Sequence, residues 1–74
     1  MARSILDMKG LICPLPVLRA NKAMKSLSRG DELEVHVTDP AAPADFDAYS
    51  RTTGHALLEH REEEGYDVVV LRKS

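Results

Sequence analysis

The chain has one cysteine, no tryptophan, one phenylalanine and two tyrosines among 74 residues, and its acidic residues outnumber its basic ones. A single cysteine excludes an internal disulfide framework, so packing alone must hold the fold. A lone reduced thiol also suits a cytoplasmic protein better than a secreted one. So few aromatic side chains cannot build a base-stacking platform. A net charge of −2 argues against a general nucleic-acid binder, which carries a basic surplus. Met1-Ala2-Arg3-Ser4 opens onto Ile5-Leu6 and then Asp7, so no hydrophobic signal region is expected. The late aliphatic run from Val68 to Leu71 is far too short to cross a bilayer. We therefore expect a cytoplasmic monomer that binds neither membrane nor nucleic acid directly.

What is present fits one domain over residues 1–74, near the lower limit for folding alone. With 43% apolar residues the core is adequate but thin. The one cysteine lies in Gly10-Leu11-Ile12-Cys13-Pro14-Leu15-Pro16, between a strand-like lead-in and a helix-like run. A proline disfavours α geometry in the residue before it, so Pro14 pushes Cys13 towards the extended conformation of a helix N-cap. Pro14 then suits the first helical position. Sulfur at an N-cap meets unpaired backbone N–H groups and the positive end of the helix dipole. There a thiol pKa near 8.5 falls by one to several units. The stretch predicts a reactive, partly exposed thiolate. The plainer reading makes Cys13 an inert core residue, since free cysteine is often buried. That reading explains neither the two prolines nor the position at a helix start.

Taken in order, residues 4–9 partly alternate, with Leu6 and Met8 on one face, and read as a short strand ended by Gly10. From Pro14 to Leu27, Val17, Ala20, Met24 and Leu27 recur at three- and four-residue steps, predicting an amphipathic helix of about fourteen residues. Gly30 is expected in the usual glycine position after that helix. Leu33, Val35 and Val37 alternate with Glu34, His36 and Thr38 as a second strand, stopped by Asp39-Pro40. Residues 43–51 read as a shorter helix, with Asp39 or a neighbour as cap and Phe46 and Tyr49 on one face. Residues 55–60 read as a strand, 61–65 as a solvated turn, and 66–72 as a β-branched strand buried on at least one face. The order β-α-β-α-β-β predicts an α/β two-layer sandwich, a single sheet with both helices on one face.

Other residues carry weaker chemistry. His55 and His60 would face opposite sides of one strand, and no Cys-x-x-Cys or His-x-x-x-His spacing occurs, so no metal site is expected. His36 and His55 are candidates for a base beside the cysteine only if the fold brings them there. Arg19, Lys22 and Lys25 read as the solvated face of the first helix, or as a docking patch for an acidic partner. Asp39 reads as a strand stop and cap. Asp45 and Asp47 favour the start of the second helix and imply no paired-carboxylate catalysis.

Leu6-Asp7, Gly10-Leu11-x-Cys13-Pro14-x-Pro16, Gly30-Asp31-x-Leu33, Asp39-Pro40-Ala41, Asp45 and Gly54-His55-x-Leu57 together resemble the TusA/SirA-like sulfur-carrier family over nearly the whole chain. The resemblance implies a four-stranded mixed sheet under two helices. It implies that Cys13 accepts sulfane sulfur as a persulfide from a cysteine desulfurase or a rhodanese, without a cofactor, and passes it to an acceptor protein. It likewise implies a sulfurtransferase-like carrier acting stoichiometrically in a relay. Pro14 and Pro16 match the motif prolines that shape the helix start. Transfer-RNA thiolation, molybdenum-cofactor assembly and sulfur oxidation are all compatible destinations. Ser50 stands where many relatives carry a second cysteine, so no internal resolving thiol exists. Leu15 stands where some members linked to transfer-RNA thiolation have Glu. Arg19, Lys22, Lys25 and Asp39 are the candidate partner-binding residues around Cys13. The alternative function is a redox sensor or regulatory interaction module whose thiol is oxidised rather than sulfurated.

Overall fold

The computed structural model describes residues 2–74; Met1, where the reading of the leader began, lies outside them. The elements are β1 (Arg3–Met8), α1 (Leu15–Met24), β2 (Glu32–Val37), α2 (Ala42–Thr53), β3 (Ala56–Glu63) and β4 (Tyr66–Arg72). The sheet runs β1-β2-β4-β3, with β1 parallel to β2 and both other pairings antiparallel. The predicted order and mixed sheet are thus observed.

Period-two alternation decides which face is covered. Met8, Leu33, Val35, Val37, Val69 and Leu71 form one buried cluster with Ala20 and Met24 of α1 and Ala42, Phe46 and Tyr49 of α2. Both helices therefore pack on one face. Phe46, with no exposed surface, anchors α2. Such a burial stabilises the fold by roughly 1.5–3 kcal/mol relative to exposure. Its ring meets that of Tyr49 edge-on, with centroids 6.4 Å apart.

The other face has no helix, yet Val68 and Val70 on β4 are fully buried. Register places His36 and Arg61 beside Val68, and Glu34 and Glu59 beside Val70. Long charged side chains cover the valines with their stems and leave their heads to pair. Arg3 bridges Glu32 at 2.6 Å and Glu34 at 3.3 Å, and Glu34 meets His36 at 2.6 Å.

Several expected boundaries shift. β3 continues to Glu63, so the predicted turn over 61–65 shrinks to Glu64-Gly65. An exposed edge strand needs no apolar alternation when its partner is as apolar as β4, and Arg61 bonds both Glu59 and Glu63 along it. Gly65 has φ +85°, the left-handed geometry that tight turn requires. α1 ends at Met24, earlier than Leu27. Residues 25–27 continue only as three-residue turns, and Gly30 lies beyond them on the approach to β2. The carbonyls of Met24 and Leu27 each accept a bond from Lys73 Nζ at 2.7 Å, a cation placed at the negative end of the helix. α2 extends to Thr53, with Gly54 at φ +84° as its left-handed cap. Among the described residues no helix is long and apolar enough to cross a membrane.

Candidate functional site

β1 ends at Met8, and the chain then crosses to α1 through Lys9–Pro14. Gly10 N–H donates to Thr38 Oγ1 at 2.9 Å, which ties the loop to the end of β2. Leu15 N–H donates to the Ile12 carbonyl at 2.9 Å, closing a turn around the cysteine. The Pro14 carbonyl accepts the first intrahelical bond, from Leu18 N–H at 3.1 Å. Pro14, and not Cys13, is therefore the N-cap, with Leu15 as first helical residue and Pro16 as second. The expected placement is wrong by one residue. The physical reason is this extra turn, which moves the start of the helical ladder one residue on. The Cys13–Pro14 peptide is cis. Pro14 is exposed and Pro16 is buried against the core, so the two motif prolines do different work.

Cys13 is exposed and unpaired. Its backbone N–H donates to Asp39 Oδ2 at 2.6 Å. Asp39 Oδ1 accepts the Ala41 N–H at 3.0 Å, and the Asp39 carbonyl accepts the Ala42 N–H at 3.0 Å. No side chain caps α2, whose N-cap is Ala41. Asp39 instead shapes the turn before α2 and holds the cysteine loop against it.

α2 contributes the opposite wall. Asp45, Ala48, Tyr49 and Thr52, at steps of three and four, form one helical stripe. With Cys13, Pro14 and Val17 they line an open cleft of about 330 Å³. Tyr49 Oη donates to Asn21 Oδ1 at 3.0 Å, tying α2 to α1 beside it. Ile12, Leu15 and Leu18 are large apolar side chains left exposed along the same stretch, Ile12 by 69% and Leu18 by 58%.

The charge environment reverses the expected shift. The Asp45 carboxylate across the cleft, then desolvation, then the charge of Asp39 push the Cys13 thiol above its ordinary value. A helix terminus favours the thiolate. Two carboxylates close to the sulfur outweigh that fractional charge. The local pattern gives Asp45 only a helix-start role, because the packing that brings it to Cys13, 32 positions away in sequence, has no local signature. The available signals are the 45/48/49/52 stripe and the place of Asp45 among the residues that carry the family resemblance.

The basic candidates lie elsewhere. Arg19 and Lys22 border a separate depression with Leu6, Ala23 and Ser26. Lys25 caps the far end of α1, about 15 Å of helix away from the cysteine. His36 lies on the sheet face away from the helices, paired with Glu34. His55 stacks at 5.9 Å from Tyr49 and accepts from the Ser74 N–H at Nδ1. Among the described residues no histidine lines the cleft, so neither proposed Cys–His pairing forms.

Against this geometry the comparisons are consistent. The family model described as sulfurtransferase TusA matches residues 4–73. A Neisseria meningitidis serogroup A protein provisionally named a sulfur carrier is 47% identical over 72 residues, 97% of each chain. The sulfur carrier protein TusA of Allochromatium vinosum is 46% identical over 69 residues, 93% of this chain and 91% of its own. The crystal structure of a SirA-like protein from Desulfitobacterium hafniense superposes with a TM-score of 0.84 at 27% identity, covering 97% of this chain and 96% of that one. The family model, these relatives and the solved structure each cover nearly the full length, and the chain belongs to the TusA family of sulfur carriers.

Proposed function

We propose that Cys13 is the sulfur-bearing atom, loaded as a persulfide by a donor protein and unloaded by an acceptor protein in a relay. The observation that carries this reading is an exposed, unpaired thiol whose backbone is braced by Asp39 at the mouth of an open cleft. A relay thiol must be reached by two different proteins in turn, so it belongs at the surface. The apolar side chains of Ile12, Leu15 and Leu18 around it supply surface that a docked partner can bury. A cysteine desulfurase or a rhodanese fits the donor role, because each presents sulfane sulfur on a cysteine. No cofactor enters this chemistry. Arg19 and Lys22, one face away from the cleft, remain available to steer an acidic partner without touching the sulfur.

The redox-sensor reading asks for a low-pKa thiolate poised for oxidation. The carboxylates beside Cys13 push the other way. Incubation with a cysteine desulfurase and cysteine, followed by intact mass measurement, should add one sulfur atom to the wild type and none to Cys13→Ser. Equal gain by the two proteins, or none by the wild type, would refute the proposal.

A further inference from the structure

Thiols built for reaction on their own stand beside a cation. Cys13 has the opposite surroundings. The titratable groups lining its cleft, among the described residues, are Cys13 itself, Asp45 and Tyr49, with Asp39 behind the cysteine amide. Asp45 has no ion-pair partner among those residues, whereas Asp47, two positions on, pairs with Arg51 at 2.9 Å. Asp45 is half-buried on the stripe that forms one wall of the cleft, beside Ala48 and Tyr49. An unpaired carboxylate held against apolar surface attracts a cation more strongly than a fully hydrated one does.

We infer that Asp45 is the seat for a cationic side chain that a partner carries beside its own cysteine, and that this pairing, made in the cleft Asp45 shares with Cys13, favours ionisation of the sulfur. The inference rests on the reading of Cys13 as the sulfur-bearing atom. It makes Asp45 a positioning residue. In loading, the Cys13 proton passes to water as the cation takes the carboxylate. The thiolate attacks the outer sulfur of the partner's persulfide, and a new S–S bond forms as the partner's own S–S bond breaks. The partner's cysteine leaves as a thiolate and takes up a proton. Sulfane sulfur changes hands between two thiols, with no net oxidation.

Three small disulfides of different charge test this on the free carrier: cationic cystamine, neutral hydroxyethyl disulfide and anionic dithiodipropionate. In each case the Cys13 thiolate attacks one sulfur, a mixed disulfide forms, and the other half leaves as a thiolate. At low salt the wild type should react fastest with cystamine and slowest with dithiodipropionate, a spread of about tenfold. Asp45→Asn should collapse the spread and move the pH profile of the neutral reagent to lower pH, while Asp47→Asn changes neither. High salt should compress the wild-type spread without any substitution. A wild type indifferent to reagent charge, an order that survives Asp45→Asn, or an unmoved pH profile would overturn the inference. Failure of the wild type to gain sulfur from a desulfurase would instead overturn the carrier reading, so the two failures are separable.

Discussion

The carboxylate of Asp39 accepts the backbone N–H of Cys13 at 2.6 Å, across 26 positions of sequence. Its other oxygen accepts from Ala41, so one side chain ties the cysteine loop to the turn that starts α2. The sulfur is therefore held relative to both helices.

Asp39→Ala should loosen that tie more than it unfolds the protein. Both bonds are exposed, so stability should fall by about 1 kcal/mol in urea titration. Sulfur acceptance from a desulfurase should slow by about tenfold or more, because reacting atoms tolerate little misplacement. A stability loss with no change in transfer rate would show that the brace is only structural.

Leu18 is exposed by 58% and makes no contribution to the buried core. Leu18→Glu should leave thermal stability within about 0.5 kcal/mol of the wild type. The rate of transfer from a protein donor should drop at least about fivefold, as for an interface residue worth 1 kcal/mol. Reaction of Cys13 with a small neutral alkylating reagent should not change. Loss of both reactivities together would place Leu18 in the fold and not on the docking surface.

Acid should weaken the helix-free face of the sheet. Glu34 has its pKa held below the ordinary carboxylate range, first by its hydrogen bond with His36, then by the charge of that ring and by Arg3. A depressed folded value means the ionised form is favoured in the native state. The associated stability is complete above the unfolded pKa near 4.3 and is lost as pH falls through the lower folded value. Glu34→Gln should flatten the fall in stability below about pH 4.3. An unchanged acid limb in urea titrations at several pH values would contradict the role given to Glu34.

Much of this architecture could be read from the residues alone. Leu33, Val35 and Val37 alternate, and all three point into the core. Ala20 and Met24 share the buried stripe of α1, as their spacing required. The extension of β3 could not be read in that way. Its last residues are charged throughout, and what makes them a strand is a register with β4 that no local pattern encodes. The site divides similarly. The exposed Cys13 loop before α1 is legible in the residues around it, whereas the carboxylate beside the sulfur is not, because Asp45 arrives by helix packing. Lys73 was likewise silent in sequence, since its carbonyl partners lie 46 and 49 positions away.

Isotope-labelled sulfur offers the most direct test of the relay. Labelled cysteine is supplied to a desulfurase together with this protein, and the carrier is then digested without reductant and mapped. The label should reside on the peptide containing Cys13 and leave it when a thiol acceptor is added. Label on any other peptide, or label that no thiol removes, would contradict the account.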